Sequence, residues 1–321
     1  MMEKQIQIKT AEFVSPKHPD KLCDQMADVL LDAYLKKDSL TRTAIEILAG
    51  HHLVVVMGEI KSRVRLNQFE IRKIIQKFTG GNFKVEVRLV EQSPEIARGV
   101  EKGGAGDQGI MNGYATSETK NLMPLEYELA RQLCQKIYAQ YLSDGKTQVT
   151  IQGKKVLSVV ASFQNVSRET LEKLVRKIIK AGEYYINPAG DWQIGGFEAD
   201  SGLTGRKLVI DSYGPNIPVG GGSFSGKDGT KVDRSGAYMA RKIAVDYLKK
   251  YQAKKVFVKL AYAIGKEQPL MKQVIVDGVE DEIKGYDLTP QGIIKFLNLR
   301  KPIFLKTACW GHFGRGFSWD K

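Results

Sequence analysis

Residues 19–60, PDKLCDQMADVLLDAYLKKDSLTRTAIEILAGHHLVVVMGEI, set the architecture. Pro19 suits the first position of a helix, and Leu22, Met26, Val29, Leu30 and Ala33 share one face as far as Lys37. The pattern then changes to two short apolar runs, 43–48 and 53–60, around a turn at Gly50. A helix followed by a strand pair is an α+β unit, with the helix laid on one face of the sheet. In HHLVVVMGEI both sides of the second strand carry large residues, and 53–57 reads as a buried strand. A sheet apolar on both faces has to be covered twice, and a partner subunit is one way to do so.

The same order recurs twice. A helix over about 67–78 and a strand over 83–90 complete the first unit. The middle third has a helix over 124–142, with Leu125, Leu129, Leu133 and Ile137 in register. Strands follow at 147–152 and 156–163 around Gly153, and Ser167 then caps a helix running to 180. In the last third a helix at 233–250 precedes strands at 255–263 and 272–276 and a helix at about 289–298. The first helices begin near 19, 124 and 232, a repeat of pattern rather than of residues. The expectation is an α+β protein of three repeats, 1–100, 101–195 and 196–321.

Composition narrows the function. The chain has 321 residues, 42% of them hydrophobic and 26% charged, as in a soluble globular protein. No apolar run approaches the roughly 20 residues of a membrane helix, and the N-terminus has no apolar signal core, so no membrane partner and a cytoplasmic location are expected. Cys23, Cys134 and Cys309 lie far apart and are odd in number, which argues against a disulfide framework and a zinc site. The net charge of +13 invites a nucleic-acid reading. The lysines, however, are spread along the chain as on solvated helix faces, and a polyanionic small molecule is the better partner.

The clustered charge lies in GGGSFSGKDGTKVDRSGAYMARKIA, 220–244. Here Lys227, Lys231 and Arg234 gather about a helix start whose N–H groups and dipole favour an anion, and the glycines permit close approach. It is not a Walker loop. Asp233 reads either as the cap of that helix or as a magnesium ligand shared with phosphate. In SPKHPDKLCDQMAD, 15–28, His18, Asp20 and Lys21 flank Pro19, either as a favourable helix start or as a phosphate contact. GGAGDQGIMNGYA, 103–115, is a glycine-punctuated loop around Asp107 and Gln108. DSGLTGRKLVID, 200–211, sets Asp200 and the pair Arg206–Lys207 at the mouth of a strand over 207–211.

Together these stretches resemble the S-adenosylmethionine synthetase family. The segments KHPDK, GAGDQG, GLTGRK and GGGSFSGKDGTKVDRS, with QSPEI, LMP and GHFGR, follow the family's order from about Phe13 to Trp319. The resemblance implies three intertwined β/α repeats with pseudo-threefold symmetry, and dimers or tetramers with active sites between subunits. It implies that ATP and L-methionine give S-adenosylmethionine, and that the released tripolyphosphate is cleaved to phosphate and pyrophosphate.

Roles carried over by the resemblance are these. His18 would act at the bridging 5′ oxygen, and Lys146, Arg206, Lys207 and Lys227 would hold the triphosphate, with Ser223 also at the nucleotide. Asp107 would face the nucleoside, Asp144 would bind ATP, and Trp192 would stack on adenine. Glu59, Gln92, Asp200 and Lys231 would surround methionine, Asp200 also touching ATP. Two Mg²⁺ would sit on Asp20 and Asp233, and one K⁺ on Glu46. The family's Asp-Ala-Lys is here Asp144-Gly145-Lys146, and its Arg-Phe is Asp191-Trp192. The gating loop from 92 to 104 and the first and middle thirds are shorter than in the family, so the chain reads as a compact version. Three rivals differ in chemistry: an enzyme that keeps only the tripolyphosphatase step or uses another thioether, a non-catalytic homologue, and a nucleic-acid binder. Glu59, Gln92 and Asp200 oppose the first. The joint presence of His18, Asp20, Lys227, Lys231 and Asp233 opposes the second, and the dispersed lysines oppose the third.

Overall fold

The computed structural model describes residues 7–92 and 103–321. An opening strand, β1 (Ile8–Val14), leads into α1 (Pro19–Lys37). His18 caps α1, with Lys36 and Lys37 at the end that favours cations. The antiparallel pair β2 (Arg42–Gly50) and β3 (Leu53–Lys61) follows. His51 and His52, both at positive φ, form the two-residue turn that such a hairpin requires. A capping box of Asn67 and Glu70 starts α2 (Gln68–Thr79), Gly80 ends it in the left-handed region, and β4 (Lys84–Glu91) returns parallel to β3.

The middle third begins with β5 (Gly109–Thr116) and α3 (Leu125–Tyr141). The pair β6 (Gly145–Gln152) and β7 (Lys155–Phe163), the Ser167-capped α4 (Arg168–Ile178) and the parallel β8 (Glu183–Ile186) complete it. In the last third come β9 (Gly202–Leu203), a short α5 (Leu208–Asp211) and α6 (Val232–Tyr251). After β10 (Lys255–Tyr262) and β11 (Met271–Val276), β12 (Val279–Asp281) turns back antiparallel, so the crossover of the other two units is missing here. The chain ends through α7 (Pro290–Leu297) and α8 (Leu305–Ala308).

Each sheet takes its fourth strand from another third. The orders are β1-β6-β7-β8, β12-β11-β10-β5 and β4-β3-β2-β9. Thus β1 leaves the first third for the middle sheet, β5 leaves the middle for the last, and β9 leaves the last for the first. The long helices follow the same rule: α1 lies over β2 and β9, α3 over β1 and β6, and α6 over β5 and β10. This cyclic exchange intertwines the three α+β units that the repeat suggested, as the family resemblance implied. It also carries the 202–207 stretch of the last third onto the start of α1.

Three local expectations change. The 103–115 stretch is a loop only at its start, and from Gly109 it is β5, hidden from the sequence reading by its glycines. Gly113 is bare because α6 crosses it, and a Cβ there would stand 2.1 Å from the Ala240 carbonyl. The strand expected over 207–211 is the helical turn α5, closed by Asp211 N–H donating to the Lys207 carbonyl at 2.8 Å. Finally, 53–57 is buried on one face only: Val54 and Val56 face the core, whereas Leu53 and Met57 stay exposed.

Candidate active site

The site begins at the cap of α1. The Asp20 N–H donates to His18 Nδ1 at 3.2 Å, so the ring proton belongs on Nε2. Burial, then the charges of Lys207 and Lys146, pull the imidazole down to about 3, against the opposing pull of Asp20 and Asp200. His18 is therefore a neutral donor among cations. Burial opposes ionisation of Asp20 as well, but Lys207 Nζ at 2.6 Å and the Leu203 N–H at 2.9 Å outweigh it and hold the carboxyl below its usual range. Arg206 Nε stands 3.5 Å from the same carboxylate. The exchange of β9 into the first sheet carries the Arg206–Lys207 turn to the start of α1, although the two are nearly two hundred residues apart.

Asp144 closes this side. Its Oδ2 accepts the Gly196 N–H at 2.9 Å, and burial raises the carboxyl against that bond and the field of Lys146. Trp192, half-buried, packs where a Cβ on Gly195 would lie 2.8 Å from its ring, and its Nε1 has no partner among the described residues. Asp200 is exposed but lies in the field of both His18 and Asp144.

The glycine-rich stretch forms the other wall. It meets the Arg206 turn where a Cβ on Gly205 would approach Ser223 Cβ to 2.6 Å. Lys227 reaches back to Asp233 Oδ2 at 2.8 Å, and Gly222 is bare because a Cβ would collide with that carboxylate at 2.0 Å. Glu46, exposed on β2, lies in the field of Lys227 and Asp24.

Several expectations are altered. Asp233 does not cap α6; Lys231 occupies that position without a side-chain cap, and Asp233 sits in the first turn facing Lys227. Arg234 does not join the other cations at the site. It is fully buried on Asp28, because the turn of α6 points it inward. Lys231 Nζ is held by Asp228 Oδ1 at 3.2 Å. Among the described residues, Glu59, Gln92 and Asp107 make no hydrogen bond or ion pair with the His18 cluster. Glu59 lies on the outer face of β3, Gln92 is buried after β4, and Asp107 is exposed before β5. Of the 92–104 gating loop, residues 93–102 lie outside the described residues, as does most of QSPEI.

Sequence reasoning missed Asp24 and Asp28 as builders of this site. Their signal was present: aspartates at 20, 24, 28 and 32 repeat every four residues along a helix that is otherwise largely apolar.

Comparison with known proteins identifies the family. Family models match consecutively: S-adenosylmethionine synthetase N-terminal domain at 7–96, central domain at 102–192 and C-terminal domain at 194–321. An S-adenosylmethionine synthase of Brachyspira hyodysenteriae is 39% identical over 97% of this chain and 95% of its own. One from Sulfurovum is 40% identical over 98% and 95%. Both alignments, of 374 and 368 positions, exceed the 321 residues here, so the relatives carry stretches this chain lacks. A solved structure described as an unusual S-adenosylmethionine synthetase from Campylobacter jejuni superposes with a TM-score of 0.89 at 32% identity, covering 98% of this chain and 96% of that one. With all three domain models matched in order and the fold shared end to end, the chain belongs to the S-adenosylmethionine synthetase family.

Proposed function

We propose that this methionine adenosyltransferase makes S-adenosylmethionine from ATP and L-methionine in one displacement and then hydrolyses the tripolyphosphate. The methionine sulfur lone pair attacks the ribose 5′ carbon, and the C–O electron pair leaves with the triphosphate oxygen. A thioether has no proton to lose, so no general base is needed. The demand is for orientation and for donors at the departing oxygen. One observation carries the reading: a neutral His18, its proton on Nε2, set among Lys146, Arg206 and Lys207. The imidazole donates to the oxygen that gains charge, and the cations, with Lys227, hold the rest of the leaving group. Incubation with ATP, methionine, Mg²⁺ and K⁺ should yield the sulfonium product by mass spectrometry. Its absence from folded enzyme overturns the reading.

Among the described residues no three His, Cys, Asp or Glu side chains converge on one point. Mg²⁺ is commonly held by one or two carboxylates, with phosphate and water completing its shell. Asp20 and Asp233 each offer one carboxylate beside a triphosphate-holding lysine. Two Mg²⁺ held there would supply charge neutralisation on the polyphosphate, and Glu46 would hold K⁺. Glu59, Gln92, Asp107, Asp200 and Lys231 remain proposed contacts to methionine and nucleoside, Lys231 only after releasing Asp228.

The proposal includes self-association, with sites shared between subunits. Leu48 (48% exposed), Met57 (50%) and Val90 (61%) lie on the outer face of the first sheet beside Glu46 and Glu59. A partner on this face would cover the apolar residues and bring its own side chains to the two acids. Light scattering at micromolar concentration should give at least twice 35.8 kDa; a fully active monomer would refute this. No described helix is long and apolar enough to cross a membrane, and a cytoplasmic location is part of the same proposal.

Trp192 is the proposed adenine platform, with its ring against Gly195 and near the Asp144 turn. Stacking on a base contributes about 1–3 kcal/mol, so Trp192→Ala should weaken ATP binding about tenfold and abolish ATP-dependent quenching of its fluorescence. Unchanged affinity would remove Trp192 from the site.

A further inference from the structure

Helix α1 carries Asp20, Asp24, Asp28 and Asp32, one every four residues and all buried. That spacing aligns them along one strip. Acids inside a helix and out of water need partners, and each finds a distant turn. Asp20 accepts the Leu203 N–H, and Asp24 the Gly205 N–H at 2.8 Å. Asp28 accepts the Gly226 N–H at 2.9 Å, and Asp32 the Phe304 and Leu305 N–H groups at 3.0 Å each.

Asp28 does more than accept one N–H. Arg234 grips both of its oxygens at 2.7 Å, and Arg234 Nη1 also donates to the Lys227 carbonyl at 2.9 Å. Tyr238 and Thr307 take the remaining donors, at 2.9 and 3.0 Å. All five N–H groups of the guanidinium are thus used. The Asp28–Arg234 pair therefore holds the backbone at the Gly226 N–H and at the Lys227 carbonyl, on both sides of the residue that presents the lysine. Asp24 holds the turn one residue before Arg206.

We propose that Asp24 and the Asp28–Arg234 pair are positioning residues that set where Arg206, Lys207 and Lys227 meet the polyphosphate. They touch no substrate themselves. The inference rests on the reading of those three cations as triphosphate ligands. It follows from the geometry that α1 is a template: one rigid helix fixes the spacing of two loops from elsewhere in the chain. Asp32, on the same strip, holds the first N–H groups of α8 and serves as the internal comparison.

The test measures KM and kcat for hydrolysis of added inorganic tripolyphosphate by the full chain, beside thermal melting. Asp28→Leu with Arg234→Met removes both buried charges together, which spares the fold the cost of an unpaired ion. This double variant should melt close to wild type yet lose about 10²-fold in kcat/KM, the cost of cations displaced by about 1 Å. Arg234→Lys keeps the charge but cannot grip Asp28 and Lys227 together; it should show the same loss and decides the matter if the double variant does not fold. Asp32→Asn should lower the melting temperature and leave kcat/KM near wild type. Folded variants of the pair with wild-type kcat/KM, or an equal loss in Asp32→Asn, would overturn the proposal. A wild-type chain that neither hydrolyses tripolyphosphate nor makes the sulfonium overturns the functional reading itself, and the inference with it.

Discussion

Replacing His18 with asparagine is expected to lower kcat for S-adenosylmethionine formation by about 10²–10³, the cost of one well-placed oxyanion donor. ATP affinity should hardly change, because the imidazole helps only while the C–O bond breaks. Hydrolysis of added tripolyphosphate should suffer much less, since no ribose oxygen departs in that step. The structure adds a second readout. In the free enzyme the imidazole is pulled down to about 3 by burial and by Lys207 and Lys146. It is protonated only below that value and stays neutral across the working range, so His18 contributes no limb near 6.5 to the pH profile of kcat/KM. An equal loss of both activities, or a limb near 6.5 that vanishes in His18→Asn, would make it an ordinary phosphate contact.

Much of the fold was legible because the long helices and hairpins satisfy local rules. Pro19, the Ser167 cap and the alternation around Gly50 and Gly153 each act within a few residues. What stayed hidden is the exchange of strands. β1, β5 and β9 are strands because of the neighbours they find; β9 is two residues long and β5 carries glycines where α6 crosses it. The stretch 207–211 errs in the opposite sense. Its apolar run suggests a strand, but it coils into one helical turn, and Lys21 draws Asp211 onto α1.

The site divides similarly. The cationic side chains were legible as a group, since lysines and an arginine beside glycines at a helix start have few other uses. Which cation faces the pocket was not. Arg234 lies one residue beyond Asp233 and three beyond Lys231, yet the helical turn sends it into the core, where only the three-dimensional position of Asp28 explains it. The aspartate ladder was visible as spacing, but its backbone partners lie 181 to 273 positions further along the chain, from the Gly205 N–H on Asp24 to the Leu305 N–H on Asp32. Glu59 and Glu46 share the outer sheet face with exposed apolar residues, so their setting depends on what covers that face.

Gly226→Ala is expected to damage both stability and turnover. Gly226 sits at φ +81°, where an L side chain is strained, and a Cβ there would stand 2.0 Å from the Ile45 carbonyl oxygen. Escape is blocked on both sides. The Gly226 N–H is tied to Asp28, and its carbonyl accepts from Ile45 N–H at 3.1 Å and Thr43 Oγ1 at 2.8 Å. Left-handed strain of about 1–2 kcal/mol adds to overpacking of about 1–3 kcal/mol, against a total stability typically of about 5–15 kcal/mol. The cheapest relaxation parts the loop from β2, and Lys227 moves with it. A displacement of about 1 Å at a group that must meet the transition state costs about 10²-fold, so kcat/KM for ATP should fall by that order even in the fraction that remains folded. Gly221→Ala separates strain from collision. It too lies in the left-handed region, at φ +105°, but nothing stands within 4 Å of its added Cβ. That variant should pay only the conformational term, melt slightly lower and keep its turnover. If Gly226→Ala melted and turned over like Gly221→Ala, contact with the Ile45 carbonyl would not be what holds the loop, and Lys227 would owe its place to something other than the seam with β2.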